Sequence, residues 1–157
     1  MRPTTFLIPL LLANSAAFAG SINGNSGLAL AALVAQHSPN VKTSDKRLLE
    51  KFLDGRTNVT YASKNKIAVA ADIISCKASN VDITLHSCDL SFGEKKVTTT
   101  GRKAHELYAT LIEAGVPSDG AAGSVFEAVS HLSCTIDPDE VKQKAGGGAQ
   151  CTFDPAK

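Results

Sequence analysis

Histidines are the side chains in this sequence whose chemistry most readily supports catalysis, and two of the four stand close to a cysteine. His86 precedes Cys88 and His131 precedes Cys134, on segments whose composition and alternation predict strands. An imidazole changes its charge between pH 5 and 8, and it acts as a general acid or base once a carboxylate orients it. His86 and His131 are therefore the candidate catalytic residues of a small hydrolase. Their imidazoles could approach one another if the two strands are neighbours in a sheet.

The remaining histidines and the glycine runs do not complete a known catalytic or cofactor motif. His105 and Glu106 resemble the start of a zinc protease helix, but Ala109 stands where the second histidine is required. His105 also lies off the apolar face of its predicted helix, so we expect it to be solvated. His37 ends a predicted helix, where a positive charge complements the helix dipole. The glycine run 146–148 lacks the Lys-Ser/Thr pair of a phosphate loop, and neither a cofactor nor a metal ion is predicted.

The four cysteines predict two disulfides. They are Cys76, Cys88, Cys134 and Cys151. An even number of cysteines behind an export signal is typical of a disulfide framework, and three pairings are possible. We favour Cys76–Cys88 and Cys134–Cys151, because each pair brackets a strand, a connection and a second strand. Loops of this length are worth about 3 kcal/mol each in the chain-entropy model. A zinc site is the alternative, but the closely spaced cysteine pairs that it usually requires do not occur.

The first 19 residues have the pattern of a bacterial-type secretory signal peptide. Arg2 provides the positive start, residues 6–13 form a short apolar stretch, and Ala17-Phe18-Ala19 gives the small-x-small cleavage pattern. The apolar stretch is shorter than the roughly 20 residues of a spanning helix, and a buried core helix is the alternative interpretation. We therefore expect residues 1–19 to be removed and residues 20–157 to form one domain in the periplasm or outside the cell.

The composition of that domain argues against a nucleic-acid partner. Removing residues 1–19 from the 157 leaves 138, with 15 basic and 15 acidic side chains, because Arg2 is the only charge removed. A nucleic-acid-binding surface relies on a net basic face that neutralises several phosphates. The chain has no Trp and few aromatic residues, which gives no support for an interface anchored by aromatic side chains. No membrane span is predicted.

The pattern of apolar residues predicts an α+β fold. We expect an antiparallel β-sheet of about five strands with amphipathic helices packed on one face. Residues 20–26 are small and polar and are expected to be a flexible lead-in, and Ser44 is the expected cap of the second helix. The predicted helices cover 27–37, 44–53 and 102–114, with a short one beginning at 137–138. The predicted strands cover 57–61, 67–76, 81–92, 125–136 and 149–153, with a short edge strand at 96–99.

A disulfide-stapled sheet backed by helices resembles, in architecture alone, exported bacterial protein inhibitors such as the β-lactamase inhibitory type. That resemblance implies a small binding or inhibitor-like protein whose partner is another protein or an envelope component. The expected contact surfaces are the connections 77–81, 93–101, 116–124 and 145–149. A small envelope hydrolase is one alternative function. A structural envelope protein that self-associates through the edge strand at 95–99 is another.

Overall fold

The computed structural model describes residues 20–56, 65–77, 86–113, 125–144 and 147–155. These residues form one antiparallel sheet of six strands and four helices, so the predicted α+β fold is confirmed. The strands are β1 (Gly20–Asn23), β2 (Ile67–Lys77), β3 (Ser87–Phe92), β4 (Lys95–Thr100), β5 (Val125–Ile136) and β6 (Ala149–Pro155). The helices are α1 (Gly24–Ala35), α2 (Thr43–Leu53), α3 (Arg102–Glu113) and α4 (Pro138–Gln143).

The strands follow the order β1-β6-β5-β2-β3-β4, with every neighbouring pair antiparallel. The predicted edge strand is confirmed as β4, which carries the exposed Lys95 and Lys96. The prediction of a flexible lead-in at 20–26 is wrong, because Gly20 to Asn23 pair with β6 as an edge strand and α1 begins at the next residue. The predicted strand at 57–61 and the first part of 81–92 lie outside the described residues.

Among the described residues, the helices cover one face of the sheet, and no described helix packs on the other, which we call the open face. In β2 the buried side chains of Ile67, Val69 and Ala71 alternate with exposed neighbours, as expected for a sheet that is covered on one side. Helix α1 contacts β2, β5 and β6, helix α3 contacts β3 and β4, and α2 packs on α1. The open face presents mostly small polar side chains, among them Ser133 and Thr135.

The helix ends are fixed in different ways. At α4 the predicted capping is confirmed, since the Asp137 carboxylate accepts hydrogen bonds from the backbone N–H groups of Asp139 and Glu140. The expected Ser44 cap of α2 is wrong. Helix α2 begins one residue earlier, with Lys42 in the extended cap position and no capping hydrogen bond from its side chain. No helix among the described residues is long and apolar enough to cross a membrane.

Both predicted disulfides are confirmed, and each joins residues that face one another on adjacent strands. Cys76 pairs with Cys88 across β2 and β3, and Cys134 pairs with Cys151 across β5 and β6. All four cysteines are fully buried on the face covered by helices. The disulfides therefore lie between the sheet and the helix layer.

Each disulfide touches the backbone of a helix at a small residue. The Cys88 Sγ lies 3.5 Å from the carbonyl oxygen of Ala104 in α3, and the Cys151 Sγ lies 3.4 Å from that of Gly27 in α1. A disulfide sulfur carries no hydrogen, so these are packing contacts rather than hydrogen bonds. They show how closely both helix backbones approach the sheet.

The two halves of the fold match each other around the central β2–β5 pair. One half consists of β2, β3, β4 and α3, in chain order. The other consists of β5 and β6 from the end of the described chain together with β1 and α1 from its beginning. In both halves a glycine with positive φ joins the edge strand to the helix, namely Gly101 (φ 67°) and Gly24 (φ 71°). In both, the residue that touches the disulfide follows three positions later.

The strand register supports the same correspondence. Cys88 faces the residue two positions before Gly101, and Cys151 faces the residue two positions before Gly24. Corresponding helix positions are also filled alike, since Leu30 and Leu107 are both fully buried and so are Val34 and Leu111. The two halves therefore use the same packing framework with different side chains elsewhere.

Reduction of the disulfides should destabilise the domain. Each cross-link constrains the unfolded chain, so the loss of either should lower the free energy of unfolding by about 2–4 kcal/mol. Urea denaturation of the Cys76→Ala/Cys88→Ala and Cys134→Ala/Cys151→Ala double variants, compared with the oxidised protein, measures each contribution. An unfolding midpoint unchanged by excess reductant would contradict both assignments.

Candidate functional site

The two candidate catalytic histidines lie on opposite faces of the sheet. His86 directly precedes β3 and is only 5% exposed beneath the helices. His131 lies in β5 on the open face, with 75% of its side chain exposed. Their imidazoles therefore do not come together, although both lie close to a disulfide-bonded cysteine as the sequence indicates.

His131 contacts a carboxylate at an irregularity in the sheet. Its φ of 51° is unusual for a non-glycine residue, and the register between β5 and β6 shifts between Ser130 and Ser133, which is the signature of a β-bulge. The bulge directs the imidazole towards β6, where its Nδ1 lies 3.3 Å from an Asp154 carboxylate oxygen. An imidazole beside a carboxylate can act in acid–base chemistry. The 58% exposure of the Asp154 side chain leaves the pair in water, where such contacts stabilise little.

The neighbouring carboxylate on the open face is occupied by the backbone of a turn. Asp72 faces His131 across the β2–β5 pair, because Ala71 and Ile73 on either side of it pair with Leu132 and Ser130. The Asp72 carboxylate accepts a hydrogen bond from the backbone N–H of Gly93 in the β3–β4 turn. Across the residues that the structure describes, no three metal-binding side chains converge.

The buried His86 forms a cluster of aromatic side chains with the partly buried His105 and Tyr108, which we call the imidazole cluster. The His86 and His105 rings meet edge to face with centroids 4.8 Å apart, and the Tyr108 ring lies 5.9 Å from that of His86. The His86 carbonyl accepts a hydrogen bond from Gly101 N–H at 3.0 Å, which fixes the start of α3 beside it. The expectation that His105 is solvated is wrong. It is partly buried against His86, and its buried Nδ1 has no hydrogen-bond partner among the described residues.

The outer surface of the helix layer carries a groove between α1, α2 and α3, which we call the helix groove. It consists of two cavities of about 210 and 470 Å³ that share Leu33, Leu53, Asp54 and Glu106. Its apolar lining is Ala29, Ala32, Leu33, Leu53, Leu107 and Ala109, and its acidic lining is Glu50, Asp54, Glu106 and Glu113. The larger cavity also borders His105, so the imidazole cluster reaches the groove.

One end of the helix groove, at the smaller cavity, carries basic as well as acidic side chains. His37 and Lys103 line the smaller cavity together with Gln36. The pKa of His37 is lowered from 6.5, first by burial and then by the positive charges of Lys103 and Lys46. Reciprocal contacts hold this end together, since the Gln36 side chain donates to the Lys46 carbonyl at 3.2 Å and the Lys46 ammonium reaches the Gln36 carbonyl at 3.5 Å. Carboxylates nevertheless outnumber ammonium groups in each of the two cavities.

A third cavity of about 330 Å³ lies where the sheet meets α4. Lys66, Glu140 and Gln150 line it together with Asp137, whose carboxylate caps the helix. Asp137 caps the helix, Lys66 and Glu140 face solvent, and Ala149 is the one apolar side chain among the described residues that line this cavity. The helix groove is thus the stronger candidate for a binding surface.

The contact surfaces predicted from the sequence are only partly described. Residues 93–101 form the β3–β4 turn and the edge strand, while 116–124 and most of 77–81 lie outside the described residues. In the last connection, Gly148 is held in place because its carbonyl accepts a hydrogen bond from Asp137 N–H at 2.7 Å. The helix groove is lined by residues outside these four predicted connections, and sequence reasoning missed it. The available signal was Leu53, which extends the apolar stripe of α2 past its buried part and is 42% exposed.

Comparison with known proteins gives no relative for this chain. No family model matches it, and neither a curated protein nor a solved structure is detectably similar. Its function must therefore be argued from its own residues.

His37 should make the stability of the domain depend on pH. Its pKa is lower in the folded protein than in the unfolded chain, so the unfolded state binds more protons as the pH falls below about 6.5. Its contribution to stability is complete above that pH and is lost as the pH falls towards the folded-state pKa. Urea midpoints measured between about pH 7.5 and 5 should therefore fall less steeply for His37→Gln than for the unaltered protein. His131→Gln, at an exposed imidazole, is the control, and equal slopes for all three proteins would contradict the assignment.

Proposed function

We propose that this protein is an exported binding protein that holds a cationic, amphipathic segment of another protein in the helix groove. The two disulfides fit an oxidising compartment outside the cytoplasm, and the signal-peptide pattern of residues 1–19 supports export to the periplasm or the medium. Both features suit a small domain that acts among proteins of the cell envelope.

The observation that carries the proposal is the combination of an apolar groove and acidic side chains along it. Leu53 lines both cavities and is 42% exposed, and Leu33 beside it is also only partly buried. A single exposed leucine is ordinary, but apolar side chains that line a continuous groove offer a surface for the apolar face of a helix. The groove thereby favours a partner with leucine-like side chains on one face.

The charges along the groove specify the rest of that partner. Four carboxylates line it against one lysine, so an approaching segment gains from lysine or arginine beside its apolar face. Helix α3, which forms one wall, has 12 residues and is about 18 Å long. A partner segment of about 12 residues, or three helical turns, would span it.

A labelled model peptide tests this proposal directly. The probe is a peptide of about 14 residues with leucines on one face and lysines on the other, and its fluorescence anisotropy measures binding to the oxidised domain. Glu106→Lys places a cation where both cavities meet and should weaken binding by about tenfold or more at low salt. Glu94→Lys makes the same charge change at an exposed turn and should leave binding unchanged.

Two outcomes would overturn the proposal. One is the absence of saturable binding by the lysine peptide. The other is equal loss of affinity in Glu106→Lys and Glu94→Lys, which would indicate attraction to net charge rather than to the groove. A companion peptide with glutamates in place of the lysines should not bind, because the carboxylates would repel it.

A small hydrolase remains the second candidate, because His131 and Asp154 bring an imidazole and a carboxylate within 3.3 Å. Hydrolysis of ester, amide or glycoside substrates that His131→Ala abolishes and Glu106→Lys retains would favour this function over binding. Self-association through β4 is a further proposal. The exposed Lys95 and Lys96 oppose it, since charged edge strands disfavour pairing with a second copy.

A further inference from the structure

The imidazole cluster occupies positions that are filled by apolar residues in the other half of the fold. His86 faces Gly101, because they are next to the last paired residues of β3 and β4, Ser87 and Thr100, at the start of α3. Ala149 likewise faces Gly24, because they are next to the paired Gln150 and Asn23 at the start of α1. Counting four and seven residues from each of those glycines gives His105 and Tyr108 in α3, and Leu28 and Ala31 in α1. The three residues at the matching positions are buried, apolar and part of the main core: Leu28, Ala31 and Ala149.

This internal comparison indicates that the framework does not require imidazoles at these positions. In the half β5-β6-β1-α1, the same strand–glycine–helix junction packs with Ala149, Leu28 and Ala31. Buried polar groups cost stability unless they are hydrogen-bonded, and the His105 Nδ1 is buried with no partner among the described residues. A pair of imidazoles at such a position therefore indicates a role beyond packing.

The location of His105 indicates what that role is. Its side chain borders the larger cavity of the helix groove, and its ring contacts that of the buried His86. Imidazole is the side chain whose ordinary titration falls between pH 5 and 8. We propose that His105, backed by His86, links binding in the groove to protons, so that the groove binds a cationic segment at neutral pH and releases it in acid. This inference rests on the proposed function of the groove.

The charged and titratable groups around His105 support the direction of the effect. They come from every element that forms the cluster and the groove: Lys103, Glu106, Tyr108 and Glu113 from α3, Glu50 and Asp54 from α2 or its end, His37 beyond α1, and His86 before β3. With neutral imidazoles, four carboxylates stand against one ammonium. Of the side-chain types present, imidazole is the one whose ordinary titration falls between pH 5 and 8. Each proton taken up cancels part of the field that attracts a cation.

The lysine–leucine peptide described above tests the inference at two pH values. For the unaltered protein its Kd should rise by about tenfold between pH 7.5 and 5.5, the effect of one added positive charge near bound cations. The readout is the ratio of the two Kd values, so that a change in affinity at neutral pH does not obscure it. In His105→Gln this ratio should fall to about threefold or less, because a carboxamide does not titrate in this range.

Two further variants keep the test independent of folding defects and of the other histidines. His105→Leu copies Leu28 from the other half of the fold, and it should also reduce the ratio. His37→Gln removes the other imidazole of the groove, and it should retain most of the ratio. Far-ultraviolet circular dichroism at both pH values establishes that each variant is folded under the conditions of the binding measurement.

The outcomes separate this inference from the function on which it rests. If the peptide fails to bind at pH 7.5, the proposed function and the inference both fall. If it binds with the same Kd at both pH values, the groove stands and the proton linkage falls. A ratio that survives in His105→Gln and His105→Leu but disappears in His37→Gln would overturn the assignment to His105.

Discussion

The close approach of two helix backbones to two buried disulfides is the constraint on which the rest of this structure depends. A Cβ atom on Gly27 would lie 2.8 Å from the Ile22 carbonyl oxygen of β1, so α1 can lie this close to the backbone of the sheet only with glycine there. Ala104 occupies the matching position of α3, with a side chain of a single carbon. Small residues at these two points set the distance between the helix layer and the sheet, and the disulfides hold together the strands beneath them.

That constraint separates the molecule into two surfaces with different chemistry. Because the described helices α1, α2 and α3 lie on one face, the opposite face of the described sheet presents small polar side chains and the exposed His131–Asp154 pair. The helix layer instead has a groove where α2 meets α1 and α3. The two halves share their disulfide, glycine and small-residue contacts but differ at other positions, and the imidazole cluster occurs in one half alone among the described residues. Function in such folds depends on these local differences rather than on the architecture.

The sequence was sufficient to predict the features that depend on local pattern or on cysteine pairing. Both disulfides follow from residues that bracket strand pairs, and the α4 cap follows from Asp137 and Pro138 alone. Strand β1 was missed because Gly-Ser-Ile-Asn has little intrinsic β propensity, and pairing with the distant β6 decides its conformation. The partial burial of His105 was missed for a similar reason, since a helical wheel cannot show that His86 from another element lies against it. The helix groove is formed by three helices together, and no single segment encodes it.

The first described strand, β1, pairs with the last, β6, so the two ends of the described chain lie side by side in the sheet. Gly20 faces Phe153 on the neighbouring strand, so a short linker from β6 to β1 would make the half β5-β6-β1-α1 continuous. New chain termini could then be placed in another connection of the same sheet, as in circularly permuted proteins, which keep their packing although their termini lie elsewhere. It follows that additions at either end of the described fold emerge at the β1–β6 edge of the sheet.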